Sequence, residues 1–223
     1  MITLHKFSEK YKENNILSDV NINFEDNRIT FIMGPNGSGK TTLIKCISGL
    51  EKYDGTILYN EKPMDYMYHK CLVIWDDCPF YLQLSGISNL IVYSENRMKK
   101  DKIMDIAKKY LDINVLKRKV KSYSYGQKKR LALILVEILN PEIIIMDEIS
   151  NGLDYDTMQE LKEDLQRLAL TKTIILTGHQ FGFYNDIIDD LIVIKDRKLV
   201  IEKRNFKNSG EKLEEIYDKK LHN

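Results

Sequence analysis

Residues 34 to 41 read GPNGSGKT, a glycine, four residues, then Gly-Lys-Thr, and they follow directly on the apolar run ITFIM at 29 to 33. Each residue type at this spacing has a duty toward an anion. Gly34, Gly37 and Gly39 permit backbone conformations in which consecutive amide N–H groups point inward at phosphate oxygens. Lys40 adds a cation toward the outer phosphates, and the Thr41 hydroxyl is a ligand for magnesium. A helix opening here offers its positive end to the same charge. The loop predicts phosphate binding, but by itself it does not separate a kinase from a GTPase or an ATPase.

A second group of residues bears on the reaction. EIIIMDE ends an apolar run on Asp147, which is placed to hold magnesium directly or through water, and the next carboxylate, Glu148, can orient and partly deprotonate an attacking water. That pairing implies hydrolysis rather than transfer to an organic acceptor. After the following apolar run, TIILT at 173 to 177, comes His179, whose imidazole can bond a terminal phosphate. Upstream, YSYGQKKR at 123 to 130 is a Ser-x-Gly-Gln turn opening an apolar helix; Ser124 can cap it, and the N–H groups near Gly126 form a second anion site. Two phosphate-seeking helix ends in one chain suggest that the second site of one subunit closes over nucleotide bound at the first site of another.

The elements that must position these groups are legible as periodicities. ITFIM, CLVIW (71 to 75), IIIM (143 to 146) and TIILT are apolar without alternation, as strands buried on both faces of a parallel sheet are. From Tyr155 to Leu168 an apolar stripe of Met158, Leu161, Leu165 and Leu168 predicts a helix packed on the sheet, and RLALILVEIL (130 to 139) predicts one buried within the core. The charged stretch NRMKKDKIMDIAKKYLDI, with Ile103, Ile106, Ala107, Tyr110 and Leu111 on one face, predicts part of an inserted helical lobe, taken as about 80–138. The first 30 residues and GTILYN (55 to 60) read as an antiparallel β layer. The C-terminal SGEKLEEIYDKKLHN predicts an exposed or partner-facing helix over 209–222, with Ser209 as N-cap and Glu211 and Glu214 in its first turns.

Composition narrows the class. With 34 Lys plus Arg against 33 Asp plus Glu, a net charge of +1, there is no global electrostatic case for nucleic acid. Three irregularly spaced cysteines suit neither a disulfide scaffold nor a zinc site and suggest a reducing compartment. No apolar run approaches the ~18 residues needed to cross a bilayer, so a cytosolic chain is expected.

Taken in order, these motifs resemble those of the ATP-binding cassette family, the ATPase subunits of ABC transporters, over about residues 11–200. The resemblance implies an α/β fold: a phosphate-loop core with a mainly parallel sheet, an antiparallel β layer and an inserted helical lobe, all in one domain over 1–223. GPNGSGKTT is similar to the family's first nucleotide motif, so Pro35, Asn36, Ser38 and Thr42 join Gly34, Gly37, Gly39, Lys40 and Thr41 as nucleotide-binding residues. YSYGQ resembles the signature, with Ser124, Gly126 and Gln127 reaching nucleotide; SNGLD (150 to 154) resembles the dimer-contact loop and His179 the switch histidine. Tyr11 falls where the family places an aromatic ring against adenine.

Three departures accompany the resemblance. Tyr125 replaces the usual first glycine of the signature, and Ile149 stands where proline is common, a change expected to affect loop stiffness more than chemistry. The family's magnesium-touching glutamine falls at Asp76, with Asp77 as the rival placement and Gln83 too late in the loop. Implied cofactors are ATP and Mg2+. Implied partners are a separate transmembrane permease subunit, docking near residues 76–95, and a second ATPase subunit, a copy or a close relative, on the cytoplasmic face of a membrane. DDCPFYLQLSGISNL leans toward exporters of peptides or antibiotics. The rival readings are a soluble ABC-type ATPase and a nucleotide-gated binding module with little turnover.

Overall fold

The computed structural model describes residues 1–11, 14–78, 80–95 and 97–221. Its centre is a six-stranded sheet. β3 (Ile29–Met33), β6 (Cys71–Ile74), β7 (Ile143–Met146), β8 (Thr173–Leu176) and β9 (Asp190–Lys195) run parallel, and β10 (Lys198–Arg204) pairs antiparallel with β9 at one edge, in the order β10-β9-β3-β8-β7-β6. The four apolar runs expected as strands buried on both faces are β3, β6, β7 and β8; β6 lies at the sheet edge, where Cys71, Leu72 and Val73 are only half-buried. β9 and β10 carried no expectation, although LIVI at 191 to 194 has the same unbroken apolar character. Their hairpin turns on Asp196 and Arg197, both at positive φ (50° and 61°), which matches the twist of the flanking strands.

The apolar runs lack alternation because both faces of the sheet are covered. Phe31, Ile144, Met146 and Ile174 point into one core, and Ile32, Ile143, Ile145 and Ile175 into another. The second core is closed by α1 (Lys40–Ile47) and by a four-stranded antiparallel sheet of β1 (Ile2–Tyr11), β2 (Asn14–Phe24), β4 (Asp54–Tyr59) and β5 (Lys62–Pro63), ordered β2-β1-β4-β5. This is the layer expected from the first 30 residues and GTILYN.

The first core is closed by helices. Residues 80–138 contain α2 (Gly86–Tyr93), α3 (Lys100–Ala107), α4 (Ile113–Lys117) and most of α5 (Tyr125–Leu139). α5 is buried on nearly every side, as its sequence predicts, and ends at Asn140 in the left-handed conformation. α6 (Tyr155–Ala169) is capped by Asp154, whose Oδ1 accepts from the Thr157 N–H at 2.8 Å, and buries Leu161, Leu165 and Leu168.

The C-terminal expectation needs correction. α8 spans Leu213–Leu221, four residues shorter at its start, and residue 222 lies outside the described residues. Ser209 does not cap it: Gly210 takes φ +73°, the Ser209 hydroxyl accepts only from Glu211 N–H, and the Leu213 N–H is satisfied by Asn185 Oδ1 at 2.9 Å. Glu211 precedes the helix and pairs with Lys203, while Glu214 remains in the first turn. Nor is α8 simply exposed, since Leu213 and Ile216 are buried and Tyr217 stacks 5.2 Å from Phe181 in α7 (Phe181–Tyr184).

One buried charge ties the sheet edge together. Asp190, fully buried at the start of β9, accepts from Arg28 Nε and Nη2 at 3.0 and 2.9 Å and from Arg204 Nη1 at 2.6 Å. Replacing it by Asn leaves two guanidinium groups facing a neutral amide, and Asp190→Asn is expected to lower stability by about 3 kcal/mol, read as a lower midpoint of urea unfolding.

Candidate nucleotide site

β3 delivers the chain into the glycine loop, and α1 begins on Lys40. Gly37 and Gly39 sit at φ 77° and 104°, and at Gly39 a side chain would also meet Ile16 Cγ2 at 2.6 Å; both positions require glycine. Gly39 precedes α1 with no side-chain cap, so the first N–H groups of the helix are free to face a ligand. Asn36 lies exposed on the outside of the loop and Thr42 is half-buried in the first turn of α1. The Ser38 hydroxyl is buried yet has no hydrogen-bond partner among the described residues, and in such a cradle a phosphate oxygen is the fitting partner.

Lys40 is folded into its own loop, where Nζ donates to the carbonyls of Gly34 at 2.7 Å and Pro35 at 3.0 Å. Burial pulls its pKa down, opposed by the charges of Glu148 and Asp147. A cation held by carbonyls alone, with two carboxylates near, has a strong electrostatic reason to prefer an anion within reach.

Sheet register brings the acidic strand to the loop. Asp147 follows β7 and its N–H bonds the Ile74 carbonyl of β6 at 2.9 Å. Its two carboxylate oxygens are held from opposite sides: Thr41 Oγ1 donates to Oδ2 at 3.3 Å and Thr177 Oγ1 donates to Oδ1. Thr41 and Asp147 thus present a hydroxyl and a carboxylate side by side, hard oxygen donors of the kind magnesium takes, and the residues fit that ion. Thr177 was not among the candidate residues. The Met146–Leu176 pairing of β7 with β8 sets it next to Asp147, a neighbour visible only through the register.

Glu148 has φ 57°, a left-handed conformation uncommon for a side chain this size and characteristic of strained functional positions. Its carboxylate is gripped at both ends, with Asn151 Nδ2 donating to Oε2 at 2.8 Å and His179 Nε2 lying 3.4 Å from Oε1. Beneath them Tyr184 is fully buried; its hydroxyl donates to the Thr177 carbonyl at 2.9 Å and lies 3.1 Å from Ser150 Oγ. Asn151 was not singled out from the sequence as acting on Glu148, nor Tyr184 as bonding Ser150 and the Thr177 carbonyl, because nothing short of the folded loop places them there.

The signature residues stand elsewhere in the same chain. Ser124 and Gln127 form a closed capping box on α5, Ser124 Oγ accepting from Gln127 N–H and Gln127 Oε1 from Ser124 N–H, both at 3.2 Å. With Gly126 and Gly152 they line an open cavity of about 450 Å³, which shares no residue with the 370 Å³ cavity beside Pro35, Gly37 and Ser38. The Tyr125 ring lies against Gly152 in the 150–154 loop and is exposed. The structure therefore brings together the glycine loop, Asp147, Glu148 and His179, and leaves Ser124, Gly126 and Gln127 on a separate surface. The Asp76 carboxylate faces Lys129 at 3.5 Å, and no group of three or more His, Cys, Asp or Glu that could hold a metal ion occurs among the described residues. Tyr11 closes β1, and its side chain is outside the described residues.

The ABC transporter family model matches residues 17–151. Among curated proteins, the chain is similar to the lantibiotic transport ATP-binding protein SrtF of Streptococcus pyogenes, 29% identical over 99% of this chain and 97% of that one. It is also similar to a probable ABC transporter ATP-binding protein, PEB1C, of Campylobacter jejuni, 26% identical over 91% and 90%. The fold matches a solved ATP-binding subunit of an ABC transporter at a TM-score of 0.85 (19% identity, 98% of both chains). It also matches a dimeric ATP-binding cassette bound to ADP and Pi at 0.78 (22% identity, 94% of this chain and 100% of that one). The chain belongs to the ABC transporter family, as an ATP-binding and ATP-hydrolysing subunit.

Proposed function

We propose that this subunit works as half of a head-to-tail ATPase pair, a copy or close relative supplying the other half, and drives the export of an antibiotic-like peptide through a separate permease on the cytoplasmic face of a membrane. The observation that carries the catalytic reading is Glu148, one residue beyond a magnesium-fitting Asp147 and held between Asn151 and His179. Magnesium, when bound, neutralises charge on the transferred phosphoryl group. The glycine-loop amides and Ser38 cradle the phosphates, and Lys40 exchanges its loop carbonyls for phosphate oxygens. Glu148 orients the attacking water and accepts its proton, and His179 hydrogen-bonds the terminal phosphate. Ser124 and Gly126 of the opposite subunit close the site; their position on a cavity apart from the glycine loop supports an arrangement across two subunits.

The permease is proposed to dock near residues 76–95, where Tyr81, Leu82, Leu84 and Val92 expose apolar surface on one small lobe. No helix among the described residues is long and apolar enough to cross a membrane, so the pathway is assigned to the partner. The antibiotic side of this reading is supported by the SrtF relative, whose name says lantibiotic transport.

Glu148→Gln is expected to cut phosphate release at least about 100-fold while ATP still drives dimerisation, measured by size-exclusion chromatography; unchanged turnover would remove Glu148 from the mechanism. The transporter reading is tested by mild-detergent co-purification of the tagged subunit, which should retain a polytopic membrane protein and lose it when Leu82 and Val92 are both changed to Glu. Recovery of the ATPase alone from intact membranes would count against a permease partner.

A further inference from the structure

Tyr125, the residue that departs from the signature's first glycine, opens α5, and its side chain is 58% exposed. The capping box of Ser124 and Gln127 fixes the turn from which it springs. From there the ring lies over Gly152: a β-carbon added to that glycine would stand 3.1 Å from Tyr125 Cγ and 3.4 Å from its Cβ and Cδ2. On the helix side, the Lys128 ammonium stands 5.5 Å from the ring centroid. Position 152 therefore requires glycine on two counts, for its backbone at φ 69° and for the space that the ring fills. Gly126 packs on the same segment, where a β-carbon would meet Thr157 Cγ2 at 3.5 Å and Leu153 Cδ2 at 3.9 Å.

The 150–154 loop serves Glu148 next to that contact. Asn151 Nδ2 donates to Glu148 Oε2 at 2.8 Å, and the Asn151 N–H donates to the Glu148 carbonyl at 3.2 Å. The loop is anchored at its ends, where Ser150 meets Tyr184 and Asp154 caps α6. Its middle has little of its own to pack with, since Gly152 has no side chain and glycine has the most backbone freedom to lose. The Tyr125 ring covers that middle. It touches the residue that follows the donor to the proposed base.

We propose that Tyr125 is a positioning residue for hydrolysis: its ring pins Gly152 and so keeps the Asn151 amide on the Glu148 carboxylate of the same chain. This rests on the catalytic reading of Glu148 given above. A carboxylate held by a fixed amide donor has a fixed direction, and so does the water that it orients. The role is distinct from that of Ser124 and Gly126, which are assigned to nucleotide held by the opposite subunit. It also gives the departure at 125 a physical sense, because glycine there would leave the middle of the loop uncovered.

The test is a mutant cycle on steady-state hydrolysis by the intact protein over a range of Mg-ATP concentrations. Tyr125→Ala should lower kcat by about fivefold with KM unchanged, since the ring is joined to the base and not to nucleotide. Tyr125→Phe keeps the ring and should restore the lost turnover. Asn151→Ala removes the donor to the carboxylate and should lower kcat by about tenfold. The double variant Tyr125→Ala/Asn151→Ala should be no slower than Asn151→Ala alone, because the ring acts through Asn151. Tyr125→Ala should leave the urea midpoint unchanged, the ring being exposed, and should leave ATP-driven dimerisation unchanged in a Glu148→Gln background. An unchanged kcat in Tyr125→Ala, or losses that multiply in the double variant, overturns the proposal. So does a raised KM or weakened dimerisation, which would put the ring on the opposite nucleotide, or a fall in the urea midpoint that accounts for the lost turnover. Undiminished turnover in Glu148→Gln would instead overturn the catalytic reading beneath it.

Discussion

Asp147 is the joint on which the site depends. Its backbone is bonded to the end of β6, and one carboxylate oxygen is held by Thr41 at the start of the helix after the glycine loop. The other is held by Thr177 beyond β8. Three segments distant in the chain, the glycine loop, the acidic strand and the histidine strand, meet on one carboxylate. A carboxylate offers several lone pairs, which is why a single side chain can anchor two hydroxyls and still face a cation. Glu148 and His179 inherit their positions from this joint, one residue and two residues past its members.

The joint holds because the sheet around it is rigid on both faces. Alternate residues of β3, β7 and β8 feed two separate cores, so a slip of one residue in any strand would send isoleucines from one core to the other and misplace the loop at its end. Strain is then tolerated where chemistry is needed. Glu148 keeps a left-handed backbone because Asn151, His179 and the Thr177 carbonyl over-determine it, and Ile149 permits that conformation more readily than the proline common in the family, whose ring restricts the residue before it. The departure at 149 therefore bears on the backbone of the residue proposed as base, rather than on loop stiffness alone.

Charges inside the molecule divide by purpose. Asp190, between two arginines, ties β9 to the segment before β3 and to β10. Lys129 ties α5, which opens on Ser124, to the turn between β6 and α2. A buried ion pair is a poor way to gain net stability, so one at such a boundary is better understood through the geometry it specifies.

Much of this was legible in the chain itself. Residue type and spacing determined the glycine loop, since only glycine accepts the backbone of Gly37 and Gly39, and the unbroken apolar runs determined a sheet covered on both sides, since alternation is lost when neither face meets water. The capping box at Ser124 and the stripe on α6 were readable for the same reason: their partners lie three or four residues away. Contacts between distant segments were not. The bond of Thr177 to Asp147 follows from strand register, the grip of Asn151 on Glu148 from a left-handed turn, and the seat of α8 on α7 from burial that an amphipathic pattern cannot assign to a partner. The turning of Asp76 to Lys129 belongs with them, because a side chain's partner is chosen by what the fold sets opposite it, and local sequence carries no record of that.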